Sequence, residues 1–366
     1  MAPNSLPQYR CQYIEGVEKV EGYRIGGFCP IAIGQMLDDK YEVIAKLGHG
    51  GYSTVWLAKD VSVTTYNSWV AVKILKSEKS SKTNSELAIL QSARYATIVQ
   101  YLGNFWTQSP NGYHLCLVME VTGPSIRDYV ESLWYGMLDS NTAIDLSRQC
   151  VTALKTLHDS GFAHGDVCSA NFVLGLSDIS SFTKESMQRF LGDHRSGLVL
   201  SRDGSALPAG VPERLFLSVS FKDLVDPSKV KIIDLGEAFS GCKKGVANHV
   251  TSRAPELLAE QAATMQSDIW SIGCLMFELV TTHPPFSIPV GKKQSSFFAK
   301  TPDEQYEYLW EFLSRHSVLD YEEENDYLAG LLCHMLVQDQ QGRVSLGRVL
   351  EHNFFKFADI PPELLG

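Results

Sequence analysis

No stretch of the 366-residue chain is apolar for long enough to span a bilayer. The most apolar helix-like run, IWSIGCLMFELV at 269–280, is too short and reads as a buried core helix. The opening residues, MAPNSLPQYRCQYIEG, lack the apolar segment of a secretory leader. Paired cysteines are missing too. Eight cysteines lie scattered at 11, 29, 116, 150, 168, 242, 274 and 333 with no Cys-x-x-Cys among them, so free thiols in a reducing compartment fit better than a disulfide framework or a zinc site. Basic residues are in deficit: 32 Lys and Arg against 42 Asp and Glu give a net charge of -10. That argues against nucleic acid or an anionic membrane as a general partner and mildly favours basic ones. There is no internal repeat, heptad array or low-complexity tract. What remains is 44% hydrophobic and 20% charged, enough for a core, over a length that suits two domains or one two-lobed domain.

A further absence is local. Residues 164–172 read HGDVCSANF. His-x-Asp followed by Asn five residues after the acid is the frame of a phosphoryl-transfer loop, with a carboxylate to receive a proton and an amide to hold a metal. Yet no Lys or Arg lies between Asp166 and Asn171, and Cys168 stands in the middle.

Along the chain, 1–40 reads as an irregular extension rich in Gly and Tyr. YEVIAKLG from Tyr41, STVWLAKD and SWVAVKIL are rich in Val, Ile, Trp and Thr, and predict consecutive antiparallel strands. NSELAILQSA at 84–93 switches to helical spacing, and YHLCLVMEV at 113–121 returns to strand. After Gly123-Pro124 most of the chain reads as helix, notably 142–161, with Leu146, Cys150, Ala153, Leu154 and Leu157 on one side and Gly161 as a stop. A sheet-rich lobe therefore precedes a helical one. Residues 175–229, with Ser, Gly, Asp and Pro clusters around SMQRFL and SGLVLS, read as a partly ordered insertion into the second lobe.

Five short patterns carry chemistry. In LGHGGYSTVW (47–56), Gly48 and Gly50 match the first two glycines of Gly-x-Gly-x-x-Gly and Ser53 replaces the third; such a turn lets backbone approach phosphates. Lys73 ends the apolar stretch WVAVK and needs a partner or ligand to offset its desolvation. Glu86 on the next helix is the favoured partner and Glu78 the competitor. In the loop, Asp166 would orient an acceptor hydroxyl and take its proton, Asn171 would bind Mg²⁺, and His164 would pack beneath. VKIIDLGEAF (230–239) ends a strand in Asp234, a second Mg²⁺ ligand, and Gly236, where the chain turns away. Last come Ala254-Pro255-Glu256 and SDIWSIG, where Asp268 starts the core helix, with Arg343 as a buried partner for Glu256. Each pattern has a bland reading as a hairpin, a strand-edge lysine or an Asx turn. Their order along one chain, on elements of the right type, does not.

In that order the chain resembles the eukaryotic protein kinases over about 41–356, and GYRIGGFCPIAIGQMLDDKYEVIAKLGHGGYSTVWLAKD (22–60) resembles the entry to the SR-protein-specific kinase (SRPK) family. HLCLVMEVTG is similar to that family's hinge, and 175–229 falls where that family carries its spacer. The resemblance implies an α+β, bilobal kinase fold, with a small β-rich N-lobe at 41–119, a hinge at 120–124, a helical C-lobe at 125–356, an extension at 1–40 and a tail at 357–366. It implies ATP and Mg²⁺ as cofactors. Leu47, Gly48, His49, Gly50, Gly51, Tyr52, Ser53, Thr54, Val55, Ala71 and Lys73 would surround the nucleotide, with Met119 as gatekeeper and Glu120, Val121 and Thr122 reading the base. Lys73, Glu86 and Asp166 would carry catalysis; Asn171 and Asp234 would hold metal. The implied activity is that of a non-specific serine/threonine protein kinase acting on basic, Arg/Ser-rich protein substrates. The implied molecule is a monomer in cytoplasm and nucleus, with no direct nucleic-acid or membrane partner. Lys292, Lys293 and Lys300, in the short segment where a docking groove would partly form, sit awkwardly with Arg/Ser specificity.

Two departures bear on activity. Gly165 replaces the arginine that many kinases use to grip a phosphorylated activation segment, and Asp234 to Glu256 is short, so activity independent of phosphorylation there is expected. Cys168 stands where a lysine would steady the transferring phosphoryl group. Losing such a contact costs about 3 kcal/mol of barrier, about a hundredfold in rate, which slows a kinase without forbidding the reaction. Aminoglycoside and choline phosphotransferases use His-Gly-Asp-x-x-x-x-Asn without that lysine. The competing classes are a pseudokinase scaffold, favoured by Cys168 and Gly165, and a small-molecule phosphotransferase, disfavoured by Ala-Pro-Glu and SDIWSIG.

Overall fold

The structure, a computed structural model, describes residues 8–12, 14–63, 68–92, 95–246, 248–286 and 290–357. Most of the expected tail, the first seven residues of the extension and three positions in the stretch before Lys292 lie outside the described residues. Among the described residues no helix is long and apolar enough to cross a membrane. The chain forms two compact units. One takes in residues up to 91, 100–121 and 176–221; the other holds 92–99, 122–175 and everything from 222.

The first unit is built on a six-stranded antiparallel sheet. Its strands are β2 (Met36–Leu37), β3 (Tyr41–His49), β4 (Ser53–Asp60), β5 (Trp69–Leu75), β6 (Tyr101–Ser109) and β7 (Gly112–Met119), in spatial order β2-β3-β4-β5-β7-β6. Helix α1 (Ser85–Ser92) follows β5, with Asn84 Oδ1 accepting from Leu87 N at its start. Strand β5, WVAVKIL, is buried at every position. Because side chains alternate, its two faces differ. Val70, Val72 and Ile74 join Val43, Trp56, Ala58, Cys116 and Val118 in one apolar cluster. On the opposite face the register sets Ala71 beside Met119 and Leu57, and Lys73 beside Leu117 and Val55.

Strand β6 is absent from the sequence reading. It is an edge strand, and Leu102 and Trp106 point to solvent, so its outward face carries apolar residues that erase the expected alternation.

The extension expected to be irregular is ordered from residue 8 among the described residues. Strand β1 (Tyr9–Cys11) pairs with β9 (Ser196–Ser201), which pairs with β10 (Arg214–Phe216). This corrects the placement of the insertion too: SGLVLS is β9, SMQRFL lies in helix α4 (Lys184–Leu191), and 176–221 belong to the first unit. Val20, Tyr23 and Phe28 of the extension pack with Val199, Val211 and Leu215 of the insertion. Cys29, Ile31 and Leu37, with half-buried Phe216, cover the apolar face of the main sheet. Asn111, 3% exposed, ties these parts together: its Nδ2 donates to the carbonyls of Phe28 and Gly210, each at 2.7 Å.

The second unit is helical. It contains α2 (Ile126–Ser132), α3 (Ser140–Asp159), α5 (Pro255–Leu258), α6 (Met265–Thr281), α7 (Val290–Phe298), α8 (Pro302–His316), α9 (Glu322–Met335), α10 (Leu346–Leu350) and α11 (Asn353–Phe357). A two-stranded ladder of β8 (Phe172–Leu176) and β11 (Val225–Ile232) runs beside them. Helix α3 starts where Asp139 accepts from Thr142 N at 2.9 Å, buries the side predicted for it, and is followed by Gly161 at φ 88°. Helix α6 is buried on nearly all sides, and its cap is Thr264 in a capping box with Ser267. Asp268 is therefore spare for another task.

Asn111→Ala would leave two buried carbonyls without donors. At about 1–3 kcal/mol for an unsatisfied buried group, urea unfolding of that variant should show a loss of roughly 2 kcal/mol. A change within measurement error would show that the extension is not held there.

Candidate active site

In the first unit, the site face of the sheet carries Val55, Ala71, Lys73 and Met119 as cross-strand neighbours. Lys73 Nζ lies 2.6 Å from Glu86 Oε1, and both side chains are buried. Glu78, the competing partner, instead pairs with Arg24 at 3.1 Å. The Lys73–Glu86 pair follows from the sheet's burial: a lysine deep in an apolar strand keeps its charge only beside a counter-charge. Removing one member of such a pair typically costs about 3–5 kcal/mol.

The glycine-rich turn lies between β3 and β4, closed by Gly50 N donating to Ser53 O at 2.9 Å. None of Gly48, Gly50 and Gly51 has a positive φ, and a Cβ on any of them would meet nothing within 4 Å. The fold itself does not require glycine at these positions, and side chains there would stand in open space. Bare backbone is what a phosphate needs to approach. The remaining turn positions are diverse: Leu47 and Val55 are half-buried, His49 and Tyr52 exposed, Ser53 and Thr54 buried. Glu120 bends back, accepting from Gln100 N at 2.7 Å while its own N donates to Gln100 O. Val121 and Thr122 are half-buried.

In the second unit, the loop His164–Asn171 is built around three polar anchors. Asp268 accepts from the backbone N of His164 at 2.6 Å and of Gly165 at 2.9 Å, and from His158 at 2.9 Å. The carboxylate expected to serve its own helix start thus holds the loop. His164 is fully buried, its Nε2 3.1 Å from Ile233 O and its Nδ1 accepting from Asp166 N. Asn171 Nδ2 donates to the carbonyl of Asp166 at 2.8 Å and to its Oδ2 at 3.0 Å. With its nitrogen committed, Asn171 offers its amide oxygen, a hard donor of the kind Mg²⁺ takes.

Burial raises the pKa of Asp166 above the usual aspartate range; His164 and the Asn171 bond oppose this, and the Asp234 carboxylate adds to it. Two carboxylates that repel one another beside an amide oxygen suit a divalent cation. Among the described residues no group of three or more His, Cys, Asp or Glu could hold a metal unaided. Mg²⁺ commonly binds through one or two carboxylates together with substrate phosphates. Asp234 itself has φ 58° and ψ 65°. The sharp turn expected at Gly236 is therefore carried by a non-glycine residue in the left-handed region, a conformation that costs energy and concentrates at functional sites.

The two departures also have structures. Gly165 has φ 82°, and a Cβ there would lie 2.8 Å from the Glu237 carbonyl oxygen, so a side chain has no place. Cys168 is half-buried, and burial, then the Asp166 charge, pushes its thiol up to about 11. It is a neutral thiol at physiological pH, without positive charge or thiolate reactivity. The segment after Asp234 is held by Lys243, whose Nζ meets Glu237 Oε2 at 2.9 Å, and by Asn248, which donates to Gly165 O; Arg253 NH2 donates to Asn248 O at 2.7 Å. His249 N donates to Asp166 Oδ1 at 3.2 Å, a contact the sequence does not reveal because it comes from backbone. Arg343 and Glu256 form the expected buried pair, with two bonds of 2.8 and 2.7 Å.

With this geometry in place, the chain belongs to the protein kinase domain family, whose model matches residues 41–180 and 222–355 and passes over the insertion between them. Its relatives narrow the class. It is 27% identical to the serine/threonine-protein kinase SRPK of Physarum polycephalum over 95% of this chain and 92% of that one. It is 33% identical to the serine/threonine-protein kinase spk-1 of Caenorhabditis elegans over 44% of this chain but only 17% of that protein. Mouse SRSF protein kinase 3 matches at 30% over 45% of this chain and 30% of its own length. A solved kinase-domain crystal structure superposes with a TM-score of 0.61 at 20% identity, covering 89% of this chain and 98% of that one. The fold is thus the α+β fold of the protein kinases, and the kin are SRPK-like.

A side chain at 165 must adopt a left-handed backbone, at about 1–2 kcal/mol, and displace a carbonyl. Gly165→Ala should lower the melting temperature by several degrees and reduce any transferase activity. Calorimetry checks this; a melt identical to the parent would mean that the loop has room.

Proposed function

We propose that the protein is an ATP-dependent, SRPK-like serine/threonine kinase that moves the γ-phosphate of ATP to serine in basic, Arg/Ser-rich proteins. It works as a monomer in cytoplasm and nucleus. The observation that carries this reading is the state of Asp166. Its carboxylate is oriented by Asn171 and by the backbone of His249, and its raised pKa makes it a better proton acceptor than an exposed aspartate. Lys73, fixed by Glu86, supplies the permanent positive charge for the nucleotide's α- and β-phosphates. Asn171 and Asp234 would hold Mg²⁺, which when bound neutralises phosphate charge. The substrate hydroxyl, oriented by Asp166, forms its bond to the γ-phosphorus as the bond to the β–γ bridging oxygen breaks. ADP leaves, and the hydroxyl proton passes to Asp166 and then to water.

Arg/Ser specificity draws support from the names of the SRPK and SRSF kinases among the relatives and from the net charge of -10. The activation segment already has its own ion pair and backbone bonds, which supports activity without phosphate on it. Against a pseudokinase, Lys73, Asp166, Asn171 and Asp234 are all retained, while Cys168 and Gly165 speak for it. Against a small-molecule phosphotransferase stands the buried Glu256–Arg343 pair, which anchors the Ala-Pro-Glu platform.

Labelled phosphate should pass from ATP·Mg²⁺ to an Arg/Ser peptide, and Asp166→Ala should abolish transfer by at least about a thousandfold. Mass spectrometry of the active protein should find Thr251 and Ser252 unmodified. Absence of transfer to any basic protein would overturn the kinase reading.

Restoring the missing ammonium tests the cost of Cys168. Cys168→Lys should raise kcat by up to about a hundredfold, the equivalent of about 3 kcal/mol of transition-state charge stabilisation. No gain would mean that another group already fills that place.

A further inference from the structure

Glu18 lies before the family match, and nothing in the mechanism above uses it. It is nonetheless 4% exposed, and its partner Lys46 is 1% exposed. Glu18 Oε2 takes the Lys46 ammonium in an ion pair, and its Oε1 accepts from the Tyr23 hydroxyl at 2.5 Å. Lys46 occupies a telling position. The β3–β4 register shifts between Lys46 and Gly48, so the ion pair grips the strand at the bulge that opens into the glycine-rich turn. Two further contacts close on the same strand end. His49 Nε2 lies 3.3 Å from Gly16 O, and Val219 N donates to Lys46 O at 2.8 Å.

The same stretch of chain continues to the segment after Lys73. Ser77 N donates to Gly27 O at 3.0 Å and Glu78 N to Gly26 O at 2.7 Å, while Arg24 pairs with Glu78. Ser77 and Glu78 connect the strand of Lys73 to the helix of Glu86. One segment, 16–27, therefore holds both the approach to the glycine-rich turn and the link between the paired charges.

The turn has little of its own to hold it, since its three glycines face open space. A bulge is a point where a strand bends, so the position of the turn depends on what fixes the residue before it. An apolar contact there would tolerate sliding; a buried, hydrogen-bonded ion pair has one satisfactory geometry. We propose that Glu18 is a positioning residue for the kinase reaction: acting through Lys46, it locks the glycine-rich turn in the place where nucleotide phosphates are received. The lock rests on the kinase reading for its purpose but not for its mechanics, so it has a readout that needs no nucleotide.

In the nucleotide-free full chain, Glu18→Gln should speed amide hydrogen exchange at 47–53 about tenfold, with exchange in α3 and α6 unchanged. In turnover it should raise KM for ATP about tenfold and leave kcat at saturating ATP within about twofold. Tyr23→Phe, which keeps the ion pair and removes one bond, should fold like the parent and raise both exchange and KM two- to threefold; it carries the test if Glu18→Gln does not fold. Glu18→Asp should fall between. A purely structural role predicts a lower active fraction, seen as reduced kcat at unchanged KM. That pattern, or unaltered exchange at 47–53 in folded Tyr23→Phe and Glu18→Gln, overturns the proposal. Failure of the parent protein to transfer phosphate would sink the kinase reading alone, because exchange still decides the lock.

Discussion

A lysine on a strand buried along both faces is the constraint around which the first unit is organised. The ammonium of Lys73 cannot be left dry and alone, and its cross-strand neighbours in the sheet are Leu117 and Val55. Helix α1 answers by presenting Glu86, and the segment between strand and helix is pinned so that the answer stays in register. A buried ion pair of this kind adds little to stability when compared with an apolar pair. In the function proposed above, the pair serves to keep a fixed cation for an anionic ligand.

The opposite face of the sheet is sealed. Cys29, Ile31, Leu37 and Phe216 close over the sheet from the extension and the insertion, two stretches that the family model leaves unmatched. The additions are thus part of the first unit's core. In the second unit, Asp268 plays the matching part: a buried carboxylate on a rigid helix receives two backbone amides of the catalytic loop and fixes where Asp166 stands.

The sequence made much of this legible. Strands β3, β4, β5 and β7 follow from runs rich in β-branched, aromatic and other apolar residues, and helices α1 and α3 from helical spacing. Glu86 rather than Glu78, and Arg343 with Glu256, were readable because buried charges must pair. What stayed hidden has physical causes. Strand β6 exposes Leu102 and Trp106 and so has no clean alternation. Strands β1 and β10 are three residues long, too short for a pattern, and β1 pairs with a partner nearly two hundred positions away. The left-handed turn sits on Asp234 although a glycine two residues later looks the natural place. The His249 contact to Asp166 uses backbone, which every residue type shares.

The pairing of β1 with β9 bears on synthesis. Domains generally form in the order in which they leave the ribosome, at about 5–20 residues per second. Here the first unit cannot finish in that order, because its sheet at the amino end waits for residues 196–216, which emerge only after 122–175 of the other unit. For an interval on the order of ten seconds the apolar outer face of β3, β4 and β5 lacks part of its cover. The nascent chain then presents Trp56 and its neighbours without Phe216, a natural target for a chaperone during translation.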